Sequence, residues 1–180
     1  MEIEANQKRN VNVLFLFLSI FLWIIVLAWM LLIFSLSSES GQESLSRSNI
    51  VIDFFRERLN YEISLNIIRK TFHMLEFGML TALSYMAFAS SSRIAENKPF
   101  IETSSTDMKA GFEMNASFSL WVTVLYAVFD EYHQIFVFGR KGSILDVLID
   151  IAGGLTVIVI IRVVLAISFI AKKIRLSKKE

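Results

Sequence analysis

The 180-residue chain contains no cysteine, which excludes a disulfide framework, a thiolate zinc site and a cysteine nucleophile and leaves the redox compartment open. Net charge is nearly absent at +1 and says little about partners, because in an apolar chain the positions of Lys and Arg matter more than their sum. No basic stripe interleaved with aromatics occurs, so nucleic-acid binding has no support. Hydrolase signatures such as G-x-S-x-G and H-E-x-x-H are missing too, and no reaction type follows from motif alone. The single proline, Pro99, stands in a polar connector.

What is present points to a membrane. Hydrophobic residues make up 54% and aromatics 13% of the chain, with mean hydropathy +0.56, too apolar for a soluble domain of this length. Residues 11–34 are apolar apart from Asn12 and Ser19. That run exceeds the roughly 20 residues needed to cross a bilayer core and is too long for a cleaved leader; Trp23 and Trp29 fit a retained anchor. A Ser-rich connector follows to about Asn49, with Gly41 as a flexible point. Residues 50–59 alternate apolar side chains with Asp53, Arg56, Glu57 and Arg58, the pattern of an interfacial helix.

Further spans are expected at about 67–89, 116–136 and 143–167. The polar connector around Pro99 is taken as a mobile loop with at most a short helix, and the sequon at Asn115 as a chance match. The expected fold is an all-α membrane protein with four transmembrane helices and an outward interfacial amphipathic helix between the first and second. Residues 1–10 form a cytoplasmic tail, 11–171 a single membrane domain, and 172–180 a basic cytoplasmic tail. Lys8 and Arg9, with Lys172, Lys173, Arg175, Lys178 and Lys179, place both termini in the cytoplasm by the positive-inside rule.

The polar residues then converge. Arg69, His73 and Glu76 follow i, i+4, i+7 spacing on the second span; Asp146, Asp150 and Gly153 do so on the fourth; Asp130 and Gln134 form an i, i+4 pair at the end of the third. Ionisable groups in a membrane face a bundle interior or a water-filled cavity and pair, since lipid exposure costs at least about 2.5 kcal/mol each. Arg69, Lys70 and Arg140 here oppose Glu76, Asp130, Glu131, Asp146 and Asp150. One shared, outward-facing site is the economical reading, and purely structural salt bridges are the competing one. Gly153 and Gly154 let a neighbouring helix approach beneath the cluster.

The chemistry of such a site suits an anion: Arg69, Lys70 and Arg140 would hold it. His73 or Glu131 would act as general base, and Asp146 or Asp130 would orient the base or bind a divalent cation. The candidate catalytic residues are therefore His73, Glu76, Asp130, Glu131 and Asp146; the candidate binding residues are Arg69, Lys70, Gln134, Arg140 and Asp150. His73 and Glu76 at i, i+3 resemble half of a di-iron ligand set, but the pattern is not repeated and Arg69 and Lys70 disfavour a cation. No metal and no cofactor is expected, and His133 is read as an interfacial side chain.

Three stretches carry a resemblance: FSLSSESGQES at 34–44, RKxxHxxEF at 69–77 and DExxQxFxxGRxxxxxDxxxD at 130–150. In this order they resemble the VanZ-like family of bacterial membrane proteins. Departures are Glu39 in place of a frequent Gln, Met74 where an aromatic is common, Phe138 where Pro often precedes Gly-Arg, and Asp150 where Asn is frequent. Ser38 and Ser44 fall in the first motif and are read as capping the site or contacting a ligand; a nucleophilic role lacks a His partner at predictable geometry.

The resemblance implies a bacterial cell-membrane protein acting on or binding lipid-linked cell-envelope precursors, with a contribution to glycopeptide resistance of the teicoplanin type. Whether it is an enzyme stays open. The alternative is a non-enzymatic factor that binds a lipoglycopeptide or alters its access to the surface. A transporter or flippase is disfavoured, because residues 79–89, 116–126 and 155–161 read as apolar and no polar path crosses the bilayer. Expected partners are membrane lipids and a lipid-linked wall precursor or lipoglycopeptide, with oligomeric state open.

Overall fold

The computed structural model describes residues 11–59, 64–94 and 105–177. Lys8, Arg9, Pro99, Lys178 and Lys179, and the side chains of Lys172 and Lys173, lie outside the described residues. Within these residues five helices follow one another: α1 (Val13–Ser37), α2 (Gly41–Leu59), α3 (Leu65–Ser91), α4 (Ser105–Gln134) and α5 (Ile144–Ser177). Among the described residues there is no strand.

Among the described residues, three helical stretches are long and apolar enough to cross a membrane: Val13–Ser37, Lys109–Gln134 and Ile144–Ala171. They mark a membrane protein. Leu14, Phe17, Ile24 and Leu31 of α1 and Val159, Val163, Ile167 and Ile170 of α5 stand exposed, a surface that water would drive to aggregate and lipid solvates. The second expected span, about 67–89, corresponds to α3, whose first turns carry Arg69, Lys70, His73 and Glu76 and which is not among the three. It is instead the central helix, packed against α1, α2, α4 and α5. Phe77, Leu80, Thr81, Ser84 and Ala87 are buried along it, so most of its length meets protein.

The Ser-rich stretch is not a flexible connector. Its reading as one, with an interfacial helix starting only at residue 50, is corrected by a capping box. The Ser40 backbone N–H donates to Glu43 Oε2 at 2.8 Å, and the Glu43 N–H donates back to Ser40 Oγ at 3.3 Å. Reciprocal satisfaction of two orphan donors starts a helix at that point, and α2 runs 19 residues from Gly41. Ser40 also holds the exposed Glu43 carboxyl below its ordinary range, through the hydroxyl bond first and the backbone bond second. Gly41 is a point of close approach: its N–H donates to the Phe138 carbonyl at 3.2 Å, and a Cβ there would lie 2.6 Å from the Gly139 oxygen. Gly139 adopts φ +77, the left-handed region that glycine enters freely.

Two other boundaries move. α4 begins at Ser105, inside the polar tract read as a loop, and α5 continues to Ser177, past the expected 167. The close approach predicted at Gly153 and Gly154 is present. A Cβ on Gly153 would overlap the Met74 carbonyl and lie 2.9 Å from its carbon, and one on Gly154 would lie 2.6 Å from Thr81 Oγ1. Gly78 of α3 faces the Gly153 carbonyl in turn.

The seam below the site is less apolar than its sequence suggested. Thr81 and Thr123 hydroxyls meet at 2.7 Å, and Ser84 and Ser119 are fully buried. Each hydroxyl has one proton, so one of the two threonines donates to the other while its partner donates to a carbonyl of its own helix, Phe77 for Thr81 or Ser119 for Thr123, and Ser119 donates to the Ala116 carbonyl, the small-residue polar glue of membrane helices. The α1 tryptophans, read as fitting a retained anchor, direct their indole N–H groups into the bundle. Trp23 Nε1 donates to Ser91 Oγ at 3.2 Å and Trp29 Nε1 to the Glu76 carbonyl at 2.9 Å, because a buried indole needs an acceptor for its N–H. The Tyr126 hydroxyl donates to the Met30 carbonyl.

Candidate functional site

At one end of the bundle, the last turns of α1 and α4 meet the first turns of α3 and α5 beneath α2. Ser37 Oγ donates to Asp130 Oδ2 at 2.8 Å. Gln134 Nε2 donates to Asp130 Oδ2 at 2.9 Å and to Glu131 Oε1 at 3.2 Å, the i, i+4 relation expected from spacing. The Ser143 N–H donates to Glu131 Oε2 at 2.7 Å. One network of buried side chains thereby ties the α1 and α4 termini to the start of α5.

The loop between α4 and α5 returns Arg140 to this end. Its Nε donates to the Glu39 carbonyl at 2.9 Å and its Nη2 to the Leu36 carbonyl at 3.2 Å. The last carbonyls of a helix are unsatisfied and carry partial negative charge, so the α1 C-terminus is a natural seat for a guanidinium.

Helical spacing fixes the facing stripes of α3 and α5. Lys70 Nζ lies 3.4 Å from Asp146 Oδ1, and one turn deeper His73 Nδ1 lies 3.6 Å from Asp150 Oδ1. Asp150 is fully buried, and neither of its oxygens has a hydrogen bond within the described residues. The expectation that Asp146 or Asp130 would orient His73 is therefore corrected. Lys70 engages Asp146, Ser37 and Gln134 engage Asp130, and only Asp150 has the depth and helix face to meet the imidazole.

Two cavities flank this pairing. The larger, about 240 Å³, is bordered by Ser37, Ser44, Ser48, Arg69, His73 and Arg140, with Glu76 and the apolar Leu36 and Phe72 completing the wall. The smaller, about 80 Å³, is bordered by Lys70, Glu131, Gln134, Asp146 and Asp150. Arg69 and His73 border both. Arg69 makes no hydrogen bond or ion pair within the described residues. The smaller space has room and polar partners for a few waters. Among the described residues no group of three or more His, Asp or Glu is placed to hold a metal ion.

Ser44 thus joins the site and Ser38 does not. Ser38 terminates α1, donating to the Phe34 carbonyl at 2.7 Å and meeting His133 Nε2 at 3.0 Å, with the His133 ring 4.4 Å from that of Phe34. Asp130 supports the site from behind Ser37 and borders neither cavity. Ser37, Ser48 and Phe72 were missed by sequence reasoning. Ser44, Ser48 and Ile52 form a buried i, i+4, i+8 stripe on α2, a signal that exists in the sequence once the helix is started after Ser40 rather than at residue 50.

A family model described as VanZ/LLP1 matches residues 21–166, well over half of the chain and all three motif stretches. No curated protein and no solved structure matches it. The chain belongs to the VanZ/LLP1 family.

Proposed function

We propose that this VanZ/LLP1-family membrane protein takes the anionic headgroup of a lipid-linked cell-envelope precursor into the cavity between α2 and α3. In this reading α3 is the fourth span, crossing in the shelter of α1, α4 and α5. Both termini are then cytoplasmic, and the cavity opens toward the outer leaflet of a bacterial cell membrane.

The observation that carries the reading is Arg69. A guanidinium on a cavity wall with no partner among the described residues is unfavourable in a low-dielectric setting until an anion is supplied. Arg140 borders the same cavity with its fork oriented by two backbone carbonyls, and planar guanidinium groups bind phosphate oxygens in pairs. The lipid-facing surfaces of α1 and α5 let the acyl part of a ligand stay in the bilayer. Contribution to teicoplanin-type resistance follows in this reading from altering or sequestering a precursor at the membrane surface.

The test is retention of anionic lipid by the purified protein, read by native mass spectrometry after extraction from membranes. A charge-assisted hydrogen-bond pair is worth about 1.5–3 kcal/mol, so Arg69→Ala should weaken retention roughly 10- to 150-fold, with Arg69→Lys retaining part of it. Unchanged retention in a folded Arg69→Ala protein would refute the reading.

A further inference from the structure

Three serine hydroxyls border the larger cavity, and two of them are engaged. Ser37 Oγ donates to Asp130 Oδ2, and Ser48 Oγ donates to the Ser44 carbonyl at 2.9 Å. Ser46 on the same helix bonds back likewise, to the Gln42 carbonyl at 3.1 Å. That back-bond is the ordinary outlet for a serine inside a helix. Ser44 departs from the pattern: it is 5% exposed, and its hydroxyl makes no hydrogen bond within the described residues.

His73 shares the cavity with Ser44. Its Nδ1 is buried and turned to Asp150 at 3.6 Å, which leaves Nε2 as the nitrogen available to the cavity. Catalytic contacts of this kind are commonly long before a ligand is bound and tighten with it. A hydroxyl free of its helix, an imidazole on the same cavity and a buried carboxylate behind the imidazole are the three parts of an activated serine, recognised by roles rather than by chain order.

We infer that Ser44 is the nucleophile of a phosphodiester-cleaving site, with His73 as its base and Asp150 as the residue that positions the imidazole. The inference rests on the headgroup reading, since Arg69 and Arg140 are the groups that hold the phosphate. His73 Nε2 takes the Ser44 hydroxyl proton as Oγ forms a bond to phosphorus, and the bond from phosphorus to one ester oxygen breaks. That oxygen leaves as an alcohol, carrying the proton from His73. Water then attacks the phosphoserine, giving its proton to His73 Nε2; the Oγ–phosphorus bond breaks and Ser44 recovers a proton from His73. The net change is a phosphodiester plus water to a phosphomonoester plus an alcohol. Asp150 keeps Nδ1 facing itself, and so Nε2 facing Ser44, through both halves.

The test uses the full chain in nanodiscs of phosphatidylethanolamine and phosphatidylglycerol, treated with a fluorophosphonate probe that captures activated serines without need of the native substrate. Peptide mapping of the wild type should place the label on Ser44. Ser44→Ala and His73→Ala should abolish labelling and Ser48→Ala should retain it. Asp150→Asn should slow it at least tenfold and displace the pH at which labelling is half-maximal. A label absent from the wild type, or found on Ser37 or Ser48, overturns the inference without recourse to any variant, as does labelling that survives loss of His73. A slower rate with an unmoved pH profile removes Asp150 from the positioning role. Lipid retention on the same samples separates the two readings: label on Ser44 without Arg69-dependent retention upholds the nucleophile and refutes the headgroup site, and retention without label does the reverse.

Discussion

Replacing Gly153 by alanine should destabilise this protein although alanine is the better helix former. A Cβ at Gly153 would overlap the Met74 carbonyl oxygen and lie 2.9 Å from its carbon and 3.1 Å from the Met74 Cα, where carbon pairs prefer about 3.5–4.0 Å. Backbone cannot swing aside like a side chain, so α5 and α3 must part by roughly 1 Å. Overpacking of that kind costs about 1–3 kcal/mol, against a gain of about 0.5–1 kcal/mol from removing a helical glycine. The net loss is about 0–2.5 kcal/mol, and for a chain of this size each kcal/mol moves the melting temperature by about 2–4 °C. The site should suffer further. Met74 adjoins His73, and Asp150 is one turn from Gly153, so the 3.6 Å His73–Asp150 separation opens beyond ion-pair range. Thermal melting in detergent reads the first effect and lipid retention the second. Gly111→Ala is the control, because a Cβ there meets nothing within 4 Å; it should melt at or above the wild type. A Gly153→Ala protein as stable as Gly111→Ala would refute the claim that the Gly153 contact sets the α3–α5 distance.

Two further outcomes follow from the same geometry. Thr81→Val removes the 2.7 Å bond to Thr123 while keeping the shape; it should cost about 0.6 kcal/mol, the usual value for a hydrogen bond between membrane helices, visible as a small drop in melting temperature that Thr123→Val added to it does not double. The capping box predicts a pH effect on α2. Glu43 is held below its ordinary value of 4.5 by Ser40, so its contribution is present above that value and is lost as pH falls through the lowered folded pKa. Amide protection in residues 41–45, measured against the intrinsic exchange rate at each pH, should therefore fall at acid pH, and Glu43→Gln should weaken that pH dependence.

Much of the site was legible because helical periodicity is a local property. Arg69, His73 and Glu76 share one wall, and Asp146, Asp150 and Gly153 face them, as 3.6-residue spacing requires. Legibility failed where a local signal was passed over or where long-range packing decided. Ser40 and Glu43 announce a helix start, yet the serine density suggested a connector, and with it went the Ser44–Ser48 stripe. Trp29 reads as an anchor from its place in an apolar run; only the packing of α1 on α3 brings the Glu76 carbonyl within reach of its N–H. The pairing of His73 with Asp150 rather than with Asp146 or Asp130 belongs to the same class.

By itself the sequence determined the apolar solvent, the family, and the helices apart from the first turns of α2 and α4. A long run of apolar side chains without charge has one low-energy environment, and residues four apart on a helix must share a face. Only the tertiary structure decided which faces meet. Gly78 and Gly153 let two backbones come close enough to set Asp150 behind His73, and the contact of Gly41 with Gly139 seats α2, with Ser44, over the cavity that Arg69 and Arg140 border. Those juxtapositions join residues 25 to 98 positions apart. They depend on how rigid helices rotate and stack, a property of the packed whole that no stretch of chain carries alone.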